Sequence, residues 1–273
     1  MKNNPPTTMK LLAQIEISRR LDGSSPVLDL PVVDLLKSYT YQLKRWTSNQ
    51  IPLEYIQVCA AGTLVPILHV SCRAEVGVTY EDSPGVGQLT VNFLESQLAD
   101  PVEEAWAQMQ KSQTAEYSRL IDRGLRAAVI SESRLHIKEN ACWKLSVDIA
   151  SYSTVHQVVD LSYIAVLKLL RQFSLPVLKD EQTAECNRPG YIVDTECLAT
   201  TVHMTQNHAR LYTNLLRVEA KSVNCAILVV NDSSGIIHTL QKTGSISQPA
   251  EVILAAVALG ISENKSRLRT IHD

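Results

Sequence analysis

An α/β (α+β) fold of two lobes, with mixed or antiparallel sheets covered by helices, is predicted by three observations. Strand-like runs recur between 54 and 150 and again between 196 and 242. A few long segments with helical spacing separate or follow them, and a loop-rich stretch from 174 to 195, carrying Pro176, Pro189 and Gly190, divides the two groups. Short strands alternating with a few long helices give sheets covered by helices.

The chain of 273 residues is long enough for one large domain or two closely joined lobes. A chain of that size buries roughly 75% of its unfolded surface. With 45% hydrophobic and 20% charged residues it has the composition of a globular protein, neither disordered nor fibrous. A net charge of −2 excludes nucleic-acid binding by bulk charge, so any contact with a polyanion must rest on a local basic patch. The six cysteines, Cys59, Cys72, Cys142, Cys186, Cys197 and Cys225, form no C-x-x-C pair and read as reduced core thiols. The N-terminus has no continuous apolar region and no run reaches the roughly 18 residues of a membrane span, so a soluble intracellular protein is expected.

Residues 1–8 are polar and proline-rich, and 9–21 have helical spacing before a break at Asp22-Gly23. EYIQVCAAG, PILHVSCRAEV and QLTVNFL read as three strands of an antiparallel meander, the last two joined through a type II turn at Pro84-Gly85. Residues 102–130 form the longest helical segment. RLHIKENACWKLSVDIA reads as a hairpin turning at Glu139-Asn140. On its second strand Trp143, Leu145, Val147 and Ile149 face the core, while Lys144, Ser146 and Asp148 face away. LSYIAVLKLLRQFSL is apolar on nearly all sides and so is a central helix, with Asp160 as its expected N-cap. Further on, ECLATTVHMTQ, SVNCAILVV and GIIHTLQ are strands, the last two joined by Asn231 to Gly235. Proline early and glycine late bracket a helix, PAEVILAAVAL, closed by Gly260 and followed by a charged tail.

Asp148 and Asp160 stand where the strand LSVDIAS gives way to the central helix, a place where carboxylates can do chemistry. Arg119, Arg123 and Arg126 share one helix face. They form either a solvated face partly paired with Glu116 or Asp122, or a local basic patch able to contact phosphates. His203 and His208, five apart, fit neither one helix face nor one strand face as metal ligands. The chain has no G-x-S-x-G elbow, no Walker loop and no G-x-G-x-x-G, and Gly85-Val86-Gly87 reads as a turn.

Four patches in order resemble the RNase PH family, above all the non-catalytic ring subunits of the eukaryotic RNA exosome. They are Arg20-Leu21-Asp22-Gly23; HVSCRAEVGVTYEDSPGVGQLTVN; YSRLIDRGLRAAVI followed by CWKLSVDI; and DLSYIAVL. The resemblance implies an RNase PH-like fold, with an N-terminal tail and helix over 1–23, lobes over 24–173 and 193–262, and a tail over 263–273. Active members of that family degrade RNA by phosphorolysis, holding phosphate with a Gly-Thr-Arg-Thr-like turn beside an aspartate pair. Carried over, Asp148 takes the first aspartate's place and Val155 stands at the second. His156 and Gln157 replace the glycines, and Val158, Val159 and Asp160 replace Thr-Arg-Thr. Phosphate needs backbone N–H groups presented by flexible glycines and a fixed positive fork, and His156, Gln157 and the valines supply neither the glycines nor the fork.

The implied function is therefore a non-catalytic structural subunit of a hexameric ring, with no cofactor, no metal and no catalytic residue. It supports 3'-5' RNA processing and degradation, rRNA included, and guides RNA past the arginines. The implied partners are other RNase PH-like chains, S1/KH cap subunits, a catalytic exoribonuclease and RNA, in nucleus, nucleolus and cytoplasm. The alternative is an active phosphate-dependent exoribonuclease with an unorthodox site.

Overall fold

The computed structural model describes residues 35–37, 39–48, 51–62, 66–78, 87–95, 115–126, 135–138, 141–152, 157–173, 175, 193, 195–204, 211–214, 225–244 and 247–272. In chain order these form β1 (Tyr39–Ser48), β2 (Ile51–Ala60), β3 (Pro66–Val78), β4 (Gln88–Glu95), α1 (115–124), β5 (His136–Lys138), β6 (Ala141–Ser151), α2 (Val158–Gln172), β7 (Cys197–Met204), β8 (Leu211–Thr213), β9 (Cys225–Asp232), β10 (Ile237–Thr243) and α3 (Ala250–His272). The N-terminal helix over 9–21, the Pro84-Gly85 turn and the Glu139-Asn140 turn lie outside the described residues.

Strict alternation builds the first sheet. Val70, Cys72 and Ala74 of β3, Leu89, Val91 and Phe93 of β4, and Leu145, Val147 and Ile149 of β6 all point into one core. The polar residues between them face outward. The strand order is β1-β2-β3-β6-β4, with β5 also on β6. The meander expected of β2, β3 and β4 is thus half right: β2 and β3 pair antiparallel, but β6 lies between β3 and β4 and pairs parallel with β4. Period-two alternation fixes which face a residue takes but leaves the neighbouring strand open, and here β6 completes a long ladder on both sides. The sheet also begins earlier than expected. In β1, Tyr39, Tyr41 and Leu43 pack on the core while Thr40, Gln42 and Lys44 are exposed, an alternation already present in the sequence.

α1 closes the edge of β4, since Ser118 Oγ donates to Val91 O at 2.9 Å and Arg126 Nη2 to Leu89 O at 2.7 Å. α2 is the centre, buried at twelve of its fifteen positions. Tyr163 from α2 reaches α1, its hydroxyl donating to Leu120 O at 3.0 Å. The ring sits so close to Gly124 that a Cβ there would be 1.9 Å from the phenol oxygen.

The second sheet has the order β10-β9-β7-β8, all antiparallel. β9 is buried at every position, as a strand covered on both faces must be. Leu228 and Val230 join the α2 side, and Ile227 and Val229 pack under α3. The hairpin at Asn231 to Gly235 forms as expected, with Gly235 at φ 97° and the Asp232 carboxylate accepting from Ser234 Oγ, Gly235 N and Ile236 N.

Gly260 does not close α3. The helix continues to His272, so the tail expected over 263–273 is corrected: Asn264, Arg267 and Leu268 are buried. Gly260 serves instead as a close-packing glycine, because a Cβ there would lie 2.8 Å from Val229 Cγ2. With its φ in the ordinary right-handed range, nothing at that position stops the helix.

Candidate functional site

The sheet register brings three side chains together around Asp148. Opposite it stand Ser71 on β3 and Asn92 on β4, and Arg73 lies two residues along β3 on the same outward face. Asn92 Nδ2 donates to Asp148 Oδ1 at 2.7 Å, and Arg73 Nε lies 3.9 Å from Oδ2. Both the arginine and the aspartate are partly exposed, so this ion pair is weak. As expected, Asp148 is on the polar face. Its neighbours there are an amide and a guanidinium, and the partner position Val155 lies outside the described residues together with His156.

At the start of α2 the expected N-cap is corrected. Gln157 takes that place at φ −92° and makes no side-chain cap hydrogen bond, while Asp160 falls within the first turn. Val158 and Val159, which stand where phosphate-gripping residues would, are already helical and buried. Asp160 is fully buried and turns away from solvent toward the second sheet. Its Oδ1 accepts from Thr201 Oγ1 at 2.7 Å and its Oδ2 from the Thr201 backbone N–H at 3.0 Å. Arg267 Nη1 lies 3.9 Å from Oδ2.

That guanidinium, itself 5% exposed, donates through Nη1 to Thr200 Oγ1 at 2.8 Å and Ala199 O at 3.2 Å, and through Nη2 to Asn214 Oδ1 at 2.6 Å. Thr200 Oγ1 in turn donates to Asn264 Oδ1 at 2.7 Å, and Asn264 Nδ2 reaches Leu198 O, Val229 O and Asn231 Oδ1. A continuous polar network therefore runs from α2 through β7 to α3 and β9. Burial pushes the Asp160 carboxyl up from its ordinary value, while Arg267 and the Thr201 donors pull it down without cancelling the rise.

The three arginines do not form one free set. Arg126 is held by Leu89 O and by Asp122 Oδ1 at 3.0 Å, the pairing expected of a solvated face. Arg119 and Arg123 are exposed, and among the described residues neither makes an ion pair. Glu116 on the same helix accepts from Gln241 Nε2 of β10 at 2.6 Å, tying α1 to the second sheet.

His203 is buried inside β7, and His208 lies outside the described residues. Five of the six cysteines are buried free thiols, and Cys186 lies outside. Among the described residues no three His, Cys, Asp or Glu side chains converge as metal ligands, and no helix is long and apolar enough to cross a membrane. Sequence reasoning missed Asn92, Thr201, Asn264 and Arg267. Only the last two carried a signal, as polar residues spaced by three inside a segment that goes on reading as helix.

No family model matches the sequence. The chain is 27% identical to the exosome complex component Rrp42 of Aeropyrum pernix over 207 residues, 74% of each chain. It is 35% identical to the component of the same name from Methanopyrus kandleri over 119 residues, 42% of this chain and 44% of that one. In three dimensions it resembles a subunit of an Archaeoglobus fulgidus exosome solved with RNA bound to the active site, with a TM-score of 0.72 at 16% identity over 97% of this chain and 100% of the other. An archaeal exosome core superposes with a TM-score of 0.67 at 15% identity, over 98% and 100%. Rice Rrp46 does so with 0.54 at 13%, over 84% and 91%. The fold is that of the exosome core chains, and the resemblance to the RNase PH family is borne out.

Proposed function

We propose that this chain is a non-catalytic subunit of an exosome-type RNase PH-like ring, supporting 3'-5' RNA processing and degradation by the assembly. The observation that carries the reading is the start of α2. In place of a phosphate-gripping turn stand two buried valines and an aspartate whose carboxylate is committed to Thr201. Phosphorolysis needs the attacking phosphate held by preorganised donors, and a lone Asp148 has no bound nucleophile to serve. Relatives named as exosome components and solved exosome cores of the same fold support ring membership.

The reading extends to other RNase PH-like chains as ring neighbours, to S1/KH cap subunits and a catalytic exoribonuclease, and to rRNA among the substrates of the whole. It also extends to work in the nucleus, nucleolus and cytoplasm. Within the ring, Arg119 and Arg123 would touch an RNA backbone without reading its sequence, a reading supported by their exposure on α1.

The test has two parts. Native mass measurement of the complex purified through this chain is expected to give a ring-sized particle containing other RNase PH-like chains. Phosphate-dependent release of nucleoside diphosphates from single-stranded RNA is expected to be absent from the chain alone and, in the ring, unchanged by Asp148→Ala. Activity of the isolated chain that Asp148→Ala abolishes would replace this reading with that of an active phosphorolytic enzyme.

A further inference from the structure

We infer that Thr201, Arg267 and the first turn of α2 form a small-anion pocket that the chain fills with its own Asp160 carboxylate, latching the central helix to the second sheet. Three features of the site carry this. The carboxylate is fully buried and takes two donors from one residue of the other sheet, a backbone N–H and a hydroxyl. The neighbouring guanidinium is almost wholly buried and is oriented by Thr200, Ala199 and Asn214, so it stays in place whether or not Asp160 is there. The first turn of a helix also adds positive potential, which favours an anion.

Fixed donors, a fixed cation and a helix start make up a carboxylate site that offsets part, not all, of the cost of burying the charge. Its occupant is covalently attached and meets no translational entropy cost, so no free ion competes with it. The same geometry is a latch. Taking Asp160 away leaves a buried guanidinium short of its counter-charge and two donors of Thr201 unpaired, which is the most damaging way to break such a pair. The inference concerns the interior of one chain and does not depend on ring assembly.

The experiment is thermal unfolding of the full chain carrying Asp160→Ala, with sodium formate as the probe and sodium chloride at matched ionic strength as the control. The expected Tm loss relative to wild type is roughly 10 °C. Formate, a carboxylate without a side chain, should raise the Tm of the variant by roughly 4 °C more than that of wild type once it reaches about ten times its Kd. Asp160→Asn, which fills the space, should gain nothing from formate. Equal formate shifts in Asp160→Ala and wild type would overturn the pocket. Should Asp160→Ala fail to fold, the double-mutant cycle of Asp160→Asn with Thr201→Val decides instead. Losses in Tm well short of additive are expected, and additive losses would overturn the latch.

Discussion

Asp148 and Asp160 lie twelve residues apart at the two ends of one strand-to-helix stretch, yet they occupy opposite environments. Asp148 sits on the open face of the first sheet, half-exposed, against an asparagine and a partly exposed arginine. Asp160 has no exposed surface and is bonded across to a strand of the other sheet. The difference teaches that a carboxylate is worth what surrounds it. In water an ion pair is worth about 0–1 kcal/mol. In a dry interior the same charge must be matched, and losing the match is expensive.

The largest effect expected from this contrast is at Arg267. Arg267→Met removes the cation facing Asp160 and also three hydrogen bonds to Ala199, Thr200 and Asn214. Unfolding by denaturant should show a loss of roughly 3–5 kcal/mol. A loss under about 1 kcal/mol would mean that the network is not tightening the second sheet against α2.

A third aspartate sharpens the comparison through pH. Burial pushes the Asp232 carboxyl up, but hydrogen bonds from Ser234 Oγ, the Ile236 N–H, His238 and the Gly235 N–H outweigh it and bring the pKa down to about 2. A carboxyl lowered on folding contributes stability above its unfolded pKa and loses it as pH falls through the folded one, here between about pH 4 and pH 2. The amount is on the order of 2 kcal/mol. Asp232→Asn should therefore flatten acid unfolding across that window. Asp160, whose carboxyl burial raises, has the opposite sign. Its contribution is full below the unfolded pKa and declines as pH rises through the folded one, so Asp160→Asn should leave the pH 4 to 2 slope in place.

Asp148→Ala should change stability by no more than about 0.5 kcal/mol, because it loses one side-chain hydrogen bond and a weak, partly exposed ion pair on the open face of the sheet. A loss of several kcal/mol in denaturant unfolding would give the outer face a structural role like that of the inner one.

The smallest folding effect is expected from Arg119→Glu with Arg123→Glu, which should leave Tm within a degree or two. In the assembled ring the pair should weaken RNA binding and lower the salt slope by roughly 0.7–1 per lost phosphate contact. Arg126→Glu should instead lower stability, since that side chain holds Leu89 O and Asp122. Unchanged affinity and slope for the Arg119/Arg123 pair would make them a solvated face only.

The sequence by itself determined the elements whose pattern is local. Alternation marked β2, β3, β4 and β6, short strand-forming runs marked β7, β9 and β10, an all-round apolar run marked α2 as central, and the glycine-containing turn after Asn231 marked the second hairpin. Through the family resemblance, residue identity also put His156 and Gln157 where a phosphate loop would need glycines and Val159 where it would need an arginine. β1 was legible as well, in the alternation of Tyr39, Tyr41 and Leu43 with polar residues.

Only the tertiary structure decided the rest. That β6 separates β3 from β4 depends on which ladders close best in space, and alternation is the same whichever neighbour a strand takes. Gly260 could end a helix or lie flat beneath Val229, and the choice rests with the strand packed against it. Asp160 could cap its own helix or reach for a partner. The partners it found, Thr201 and Arg267, are far along the chain and on other elements, so no local pattern could name them. A buried charge is stabilised by whatever groups the fold brings to it, and that is settled only when both sheets close on α2.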